Sequence, residues 1–164
     1  MRKKAKFVYA NNIDTDRIIP GKYTKTLDMC TLANHVMEDL DPSFASTVSN
    51  GDIVIADDNF GCGSSREQAP LALLQAGVDL VIAKFFARIF FRNAINVGLK
   101  IIEVPDHDIS KGDDLEINLE KGEVHNITKY KVYQSTPLPS IMLNILNEGG
   151  MVNYLKKYCD YPDC

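Results

Sequence analysis

Residues 52–85 read DIVIADDNFGCGSSREQAPLALLQAGVDLVIAKF, and this stretch decides the fold. The apolar run at 52–57 predicts a strand, and 65–77 have helical spacing that ends at a glycine. Residues 78–85 predict a second strand, whose nearly continuous apolar character is typical of a strand covered on both faces. Strand, helix and strand in succession indicate a parallel sheet with a crossover helix.

The same alternation continues on both sides of this unit. Residues 87–98 predict a second helix, again closed by glycine, and 99–104 predict a third strand. Upstream, residues 6–10 predict a short strand. Residues 28–40 carry apolar side chains at helical spacing and predict a helix that Asp28 caps.

The remaining segments have other patterns. The polar stretches 11–26 and 41–51 predict loops, and the basic start at residues 2–6 predicts a solvated terminus. Residues 113–135 alternate by two around a Lys-Gly turn, which predicts an antiparallel hairpin. Residues 139–158 predict a helix broken by two glycines.

The fold class that follows is α/β, with parallel and antiparallel strands and crossover helices. We expect a single domain over residues 1–164, with a short flexible tail from about residue 159. The chain is 45% hydrophobic and 24% charged, which is ordinary for a globular protein.

Charge and hydropathy exclude two classes of partner. The net charge of -4 argues against nucleic acid, which prefers a basic face. No apolar run approaches the ~20 residues that span a bilayer, so we expect no membrane partner and a cytoplasmic protein.

The cysteine spacing predicts no metal site in this chain. None of the four cysteines forms a CxxC pair, and no histidine stands at ligand spacing to them. Cys62 lies inside the glycine-rich stretch, whereas Cys159 and Cys164 belong to the polar tail. A disulfide framework is not expected in a chain of this length.

The stretch GCGSSREQAP at 61–70 has three interpretations. The first is a strand-to-helix turn in which Ser64 or Ser65 caps the helix and Arg66 is a surface residue. The second is a phosphate cradle, which fits poorly because Arg66 occupies the place of the third glycine in GxGxxG. The third is a catalytic serine that acts as a base, with N–H groups and Arg66 stabilising its anion.

A second polar cluster lies at residues 11–17, NNIDTDR. Asp14 and Asp16 flank Thr15, an arrangement typical of a solvated turn. The spacing suits a metal only if a third acidic ligand follows nearby, and the next acid is Asp28.

Three stretches together resemble a known family. They are NIDTD at 12–16 with IIP at 18–20, NFGCGSSRE at 59–67, and ARIFFRNAINVG at 87–98. In this order the chain resembles small subunits of the isopropylmalate isomerase family, relatives of aconitase. The resemblance implies a swivelling β/β/α domain, like the aconitase C-terminal domain, that closes over a large subunit.

The resemblance also implies the reaction and the assembly. It implies a hydro-lyase that isomerises 2- and 3-isopropylmalate by dehydration and rehydration, a step of leucine biosynthesis. The large subunit would carry the [4Fe-4S] cluster and form a heterodimer or heterotetramer with this chain. The substrate would be a small hydroxy di- or tricarboxylate.

The resemblance assigns roles residue by residue. Ser64 matches the general base that removes the proton next to a carboxylate, and Arg66 matches the arginine that binds a substrate carboxylate. Ser65 matches a neighbouring substrate-binding serine. Thr15 and Asp16 match the loop on the hydroxyl side, where Asp16 helps to protonate the leaving group with a large-subunit histidine.

The loop after Pro20-Gly21 reads the variable arm of the substrate in this family. Here it contains Thr24, Lys25 and Thr26. Apolar residues there suit an isopropyl group, and a basic residue suits the extra carboxylate of homoaconitate. Lys25 therefore leaves homoaconitate, methylmalate and dimethylmalate as alternative substrates.

Two alternatives from other classes remain. One is a non-catalytic anion-binding module that works alone. The other is a serine hydrolase, which the absence of a histidine near a serine motif disfavours.

In the helix at 87–98 we expect four apolar side chains in the core and four polar ones bracing the neighbouring loops. These are Ile89, Phe90, Phe91 and Ile95, and Arg88, Arg92, Asn93 and Asn96.

Overall fold

The computed structural model of the chain describes residues 1–26 and 28–158. The tail predicted from residue 159, with Cys159 and Cys164, lies outside the described residues. The strands are β1 (Arg2–Lys4), β2 (Phe7–Tyr9), β3 (Asp52–Ala56), β4 (Val78–Ala83), β5 (Lys100–Glu103), β6 (Asp114–Asn118), β7 (Glu123–Asn126) and β8 (Lys131–Gln134). The helices are α1 (Thr15–Ile18), a 3-10 turn (Gly21–Tyr23), α2 (Met29–His35), α3 (Phe44–Thr47), α4 (Gln68–Gln75), α5 (Arg88–Val97), α6 (Ser140–Asn147) and α7 (Met151–Tyr158).

The first sheet is parallel, as the strand-helix-strand pattern predicts. Its strand order is β2-β3-β4-β5, and every neighbouring pair is parallel. The register places Ile55 beside Ile82 and Ile82 beside Ile102. The crossover helices are α4 and α5, so the carboxyl ends of all four strands lie at one edge.

The second sheet is antiparallel, with the order β1-β6-β7-β8. The predicted hairpin is present as β6 and β7, and β8 extends it. The basic start is exposed at Arg2 and Lys4, as predicted for a solvated terminus, but its backbone is not free: β1 pairs with β6 and brings Arg2 opposite Glu116. The terminal amine of Met1 also donates to the carbonyl of Ile117 over 2.6 Å. Backbone groups at the edge of β6 thus gain partners that side-chain charge alone does not predict.

Three layers result, with the antiparallel sheet, the parallel sheet and the helices stacked in that order. Alternate residues of β3 face different layers: Val54 packs among the helices, whereas Ile53 and Ile55 pack against the second sheet. Leu115 and Ile117 of β6 cover them from that side. Because both faces of the parallel sheet are buried, its strands read as continuous apolar runs. The predicted mixed α/β fold class is confirmed.

The segments predicted as loops contain short helices, which is a correction. The segment 11–26 holds α1 and the 3-10 turn, and 41–51 holds α3. The helix predicted over 28–40 begins after Asp28 as expected but ends at His35. Met37 leaves the helix with a φ of 61° and donates its N–H to the carbonyl of Ile18. That tertiary contact overrides the helical spacing, although the side chain of Met37 is fully buried.

Helix α4 begins three residues later than the sequence predicts. Its N-cap is Glu67, and no side chain donates or accepts a capping hydrogen bond there. Ser64 and Ser65 therefore do not cap the helix, and residues 61–67 form a loop. The C-terminal helix breaks at Gly149 and Gly150, as predicted. No helix among the described residues is long and apolar enough to cross a membrane.

Candidate active site

Two loops meet at the carboxyl edge of the parallel sheet, one after β2 and one after β3. Their backbones continue the strand pairing, since Asp14 and Cys62 form a parallel bridge. The N–H of Gly61 donates to the carbonyl of Ile13 over 2.7 Å, and the N–H of Thr15 donates to that of Cys62 over 2.8 Å. The NNIDTDR and GCGSSRE segments, which the sequence singles out separately, therefore form one surface.

The glycine-rich loop rests directly on α5. Gly61 has a φ of 77°, and a Cβ added to it would lie 2.1 Å from Cγ of Phe90. Only glycine allows that approach. Phe90 and Ile95 are buried as expected, and Phe91 is partly buried, but Ile89 is 48% exposed and its predicted core position is wrong. Helical spacing places Ile89 on the side of Arg92 and Asn96, away from the buried Phe90, so the period of the helix itself argues against a core position.

Thr15 holds the loop that carries Ser64. Its side chain is buried, and its hydroxyl donates a 3.0 Å hydrogen bond to the backbone carbonyl of Ser64. Ser64 and Ser65 themselves are exposed. Neither serine hydroxyl has a hydrogen-bond partner within residues 1–26 and 28–158, so both are available to a ligand.

Arg66 reaches across to the other loop and pairs with Asp16. Its Nη1 donates to the Asp16 carboxylate and, over 3.4 Å, to the carbonyl of Ile19. Its Nε and Nη2 have no partner in the described part of the chain, which leaves N–H groups for a carboxylate. The Arg66 side chain is 20% exposed and the Asp16 side chain 57%, so the pair lies at the surface with the guanidinium inward.

Gly21 completes the surroundings of that pair, although the sequence marks it only as part of a turn and not as a site residue. A Cβ at this position would lie 3.4 Å from both terminal nitrogens of Arg66 and from a carboxylate oxygen of Asp16. The signal available in the sequence is the Pro20-Gly21 turn beside the polar cluster.

A second residue missed by sequence reasoning is Gln68. Its Nε2 donates over 3.1 Å to the backbone carbonyl of Thr24, which ties the start of α4 to the loop at 24–26. The hydroxyl of Thr24 donates to the carbonyl of Gly21 over 2.8 Å, and that of Thr26 accepts from Asp28. The signal in the sequence is the place of Gln68 directly after the SSRE residues.

The turn before this loop is anchored on α2. The ring of Tyr23 stacks on the ring of His35 with centroids 4.0 Å apart. Lys22 pairs with Glu38 over 3.0 Å, and Nδ1 of His35 lies 2.7 Å from the same carboxylate. Lys25, by contrast, is exposed and has no ion pair among the described residues. The loop at 24–26 therefore follows an anchored turn and carries an exposed cation, Lys25.

The comparisons with known proteins agree with this architecture. Residues 2–107 match the family described as the aconitase C-terminal domain. The chain belongs to that family. It is also similar to a solved 3-isopropylmalate dehydratase from Methanocaldococcus jannaschii, with a TM-score of 0.88 and 46% identity, covering 95% of this chain and 93% of the other. The resemblance that the three sequence stretches indicate is confirmed.

Two curated relatives show which enzymes carry this domain. A 3-isopropylmalate dehydratase small subunit from Thermodesulfovibrio yellowstonii is 50% identical over 157 residues, covering 94% of each chain. A methanogen homoaconitase small subunit from Methanothermobacter thermautotrophicus is 51% identical over 152 residues, covering 93% of this chain and 89% of the relative. Overall identity therefore does not separate the two activities.

The described residues of this aconitase C-terminal domain do not fit an iron–sulfur cluster. No group of three His, Cys, Asp or Glu side chains within 1–26 and 28–158 could hold a metal ion. Burial, followed by the charge of Asp14, raises the pKa of the Cys62 thiol and disfavours the thiolate that iron binds. Cys30 is exposed on α2.

The structure thus joins part of the predicted site by direct contacts. Thr15 is joined to Ser64, and Asp16 to Arg66. The loop with Thr24, Lys25 and Thr26 is joined to the start of α4 through Gln68.

Proposed function

We propose that this chain is the small subunit of a two-subunit hydro-lyase that interconverts 2- and 3-isopropylmalate by removing and returning water. One observation carries the proposal: Arg66, held by Asp16 and the Ile19 carbonyl, has N–H groups without a partner among the described residues, two positions from the exposed Ser64. A guanidinium and a hydroxyl in one short loop suit a carboxylate and the carbon beside it. The names of the relatives supply the reaction and the word "subunit".

Arg66 would bind one substrate carboxylate through Nε and Nη2. Withdrawal of charge into that carboxylate acidifies the neighbouring C–H, and Ser64 Oγ would take the proton. A serine anion is a strong base that needs fixed donors and little water. Ser64 and Asp16 are exposed in this chain, so a second surface has to cover them. That requirement supports a large-subunit partner.

Asp16 would act on the hydroxyl side of the substrate. It would help to deliver a proton to the departing hydroxyl, together with a group of the partner, so that water leaves and an unsaturated acid forms. Return of water with the opposite orientation moves the hydroxyl to the neighbouring carbon. The cluster is proposed to belong to the partner. Thr15 and Ser65 would support substrate binding, with the hydroxyl proton of Thr15 committed to the Ser64 carbonyl.

The loop with Thr24, Lys25 and Thr26 would meet the variable arm of the substrate. We place isopropylmalate first because more of the matching relatives have that name than the name of homoaconitase or of dimethylmalate dehydratase. Homoaconitate is the second candidate, because Lys25 is an exposed cation that could receive an additional carboxylate. The lysine stem could also line an apolar arm, which keeps isopropylmalate and dimethylmalate compatible with it.

A reconstitution tests the reaction and the base. The chain is mixed under anaerobic conditions with the cluster-bearing large subunit from the same source. Absorbance of the unsaturated acid is followed with isopropylmalate, homocitrate and dimethylmalate. We expect isopropylmalate to react and Ser64→Ala to reduce kcat by about three orders of magnitude. Ser49→Ala is the matched control, since Ser49 is an exposed serine at the opposite end of β3.

The possible results separate the alternatives. If homocitrate is the one of the three substrates that reacts, the proposed mechanism stands, and Lys25 is assigned to bind the additional carboxylate. Full activity in Ser64→Ala would remove the base assignment. Tight binding of isopropylmalate by the chain alone, measured by calorimetry, would favour a stand-alone anion-binding module, because half a site should bind weakly.

A further inference from the structure

The outward face of α5 carries a group of exposed side chains that packing within the chain does not use. Arg88, Arg92 and Asn96 follow one another at intervals of four and so share one side of the helix. Ile89 lies beside them, and Phe85 precedes the helix; both are 48% exposed. We call these five residues the α5 face.

The α5 face is continuous with the loop that carries Ser64. The N–H of Phe60 donates to the carbonyl of Phe85 over 3.1 Å, and the N–H of Ala87 donates to that of Phe60 over 2.9 Å. Gly61 packs on the ring of Phe90 from the same helix. A surface that covers the exposed Ser64 would therefore also reach the start of α5.

The charge of the α5 face is unusual for this chain. The whole chain has a net charge of -4, yet Arg88 and Arg92 form no ion pair within residues 1–26 and 28–158. Their side chains also form no hydrogen bond there, so the bracing role expected from the sequence is absent among the described residues. Two unpaired guanidinium groups would complement acidic side chains of a partner.

A shallow groove beside the α5 face suits a protein side chain. Its volume is about 220 Å³, and it is lined by Phe85, Phe91 and Met142, with Arg88, Arg92 and Glu103. Small-molecule sites usually begin at about 300 Å³, so this groove is small for a substrate. Exposed aromatic and aliphatic side chains next to arginine are typical of the centre of a protein interface.

We infer that the α5 face is a docking surface for the large subunit, which would present acidic side chains to Arg88 and Arg92 and an apolar side chain to the groove. This inference rests on the proposed function. The occupant follows from position and charge: the partner that covers Ser64 lies against the same edge of the sheet, and the two arginines select an acidic surface.

Two substitutions test the inference, each with a matched control. Ile89→Glu and Arg92→Glu change the α5 face. Val132→Glu and Lys121→Glu make the same kinds of change at two exposed positions away from α5, one in β8 and one in the turn between β6 and β7. An acid at the second residue of α5 suits the helix dipole, and arginine and glutamate have similar helix propensities, so both α5 variants should fold.

The measurement is a titration of each small-subunit variant with the large subunit. Binding is followed by calorimetry and, in parallel, by the rate of unsaturated-acid formation. We expect the α5 variants to raise Kd by about tenfold or more and the controls by less than about twofold. At saturating large subunit the α5 variants should recover most of the wild-type kcat, because neither residue is placed in the catalytic machinery.

Other results would overturn the inference. An unchanged Kd would show that the α5 face stays free in the complex. An unchanged Kd with a raised KM would mean that Arg92 serves the substrate. Self-association of the chain alone that these variants abolish would assign the face to contacts between copies. Failure of the wild type to bind the large subunit would remove the proposed function, whereas equal binding by wild type and variants removes this inference alone.

Discussion

The hydroxyl of Thr15 donates a 3.0 Å hydrogen bond to the backbone carbonyl of Ser64, which lies 49 positions further along the chain. The N–H of Thr15 also donates to the carbonyl of Cys62 over 2.8 Å. One buried residue therefore holds the loop of the proposed base by both its side chain and its backbone. The position of Ser64 depends on a residue in another loop.

Thr15→Val should detach the Ser64 loop without emptying the space that threonine fills. We expect the free energy of unfolding to decrease by about 1 kcal/mol, which is the contribution of one hydrogen bond. We expect kcat to fall by more than the roughly fivefold that 1 kcal/mol corresponds to, because the proposed base loses its position. Thr15→Ser keeps the hydroxyl and should restore most of kcat. Urea unfolding and the reconstituted assay measure the two effects. A valine variant with wild-type kcat would show that the bond does not position the loop.

Gly61→Ala should destabilise the chain strongly. Its Cβ would lie 2.1 Å from the Phe90 ring, at a φ of 77°. Overpacking and left-handed strain together predict a loss of about 3 kcal/mol or more. Gly112→Ala is the matched control, since Gly112 has a φ of 95° with nothing within 4 Å of the added Cβ, and should lose only about 1 kcal/mol. Similar melting temperatures for the two variants would contradict the packing argument.

Gln68→Leu should loosen the loop at 24–26, because the donor to the Thr24 carbonyl is lost. If that loop reads the substrate arm, KM should rise by about tenfold while kcat changes less. Gln75→Leu makes the same change at the exposed far end of α4 and should leave both constants unchanged. Equal kinetics in the two variants would argue that the tie is only structural.

The free energy of unfolding should decrease as the pH is lowered below 6.5, because of His107. Nε2 of this buried residue lies 2.9 Å from the Ala56 carbonyl. Burial lowers the pKa of His107 below its ordinary value of 6.5 and outweighs the opposite effect of that hydrogen bond. The unfolded chain therefore takes up a proton near pH 6.5 that the folded chain refuses, so this stabilisation is present above pH 6.5 and declines below it.

His107→Gln tests this dependence by comparison with wild type. Urea unfolding is measured from about pH 7.5 down to about pH 5. The stability difference between wild type and variant should be largest at the upper end and shrink as the pH falls. His125→Gln is the control, because the side chain of His125 is 41% exposed. A difference that stays constant over this range would mean that His107 does not titrate differently on folding.

Local patterns predicted the parallel sheet well. The strands β3, β4 and β5, with α4 and α5 between them, follow from period and from turns such as Gly98, which ends α5 in the left-handed conformation. Each of these signals lies within a few residues of the element that it predicts. Local signals failed where a contact with a distant segment set the backbone conformation. At Met37, the backbone N–H donates a hydrogen bond to the carbonyl of Ile18 and the predicted helix does not continue.

The motifs singled out Ser64, Arg66, Thr15 and Asp16 because these residues stand in recognisable stretches, and their roles stay predictions. The structure adds which of them are in contact. Gln68 was missed, since its role is a contact with Thr24, 44 positions away. The place of Gln68 directly after the SSRE residues marks it as a neighbour of the motif, but nothing local indicates which distant group it contacts.

The amino-acid sequence by itself determined the order of β3, β4 and β5 with the helices between them, the membership of a family and the residue types available for chemistry. The period of the apolar residues, the turn residues and the motifs are local properties. They can be read from the sequence without knowing which distant segments are in contact. Only the tertiary structure decided that Arg2–Lys4 completes a sheet, that Asp16 pairs with Arg66, and that the arginines of α5 stay unpaired beside the site among the described residues. Those outcomes depend on which segments lie side by side, because hydrogen bonds and ion pairs form over a few ångströms in space and not along the chain.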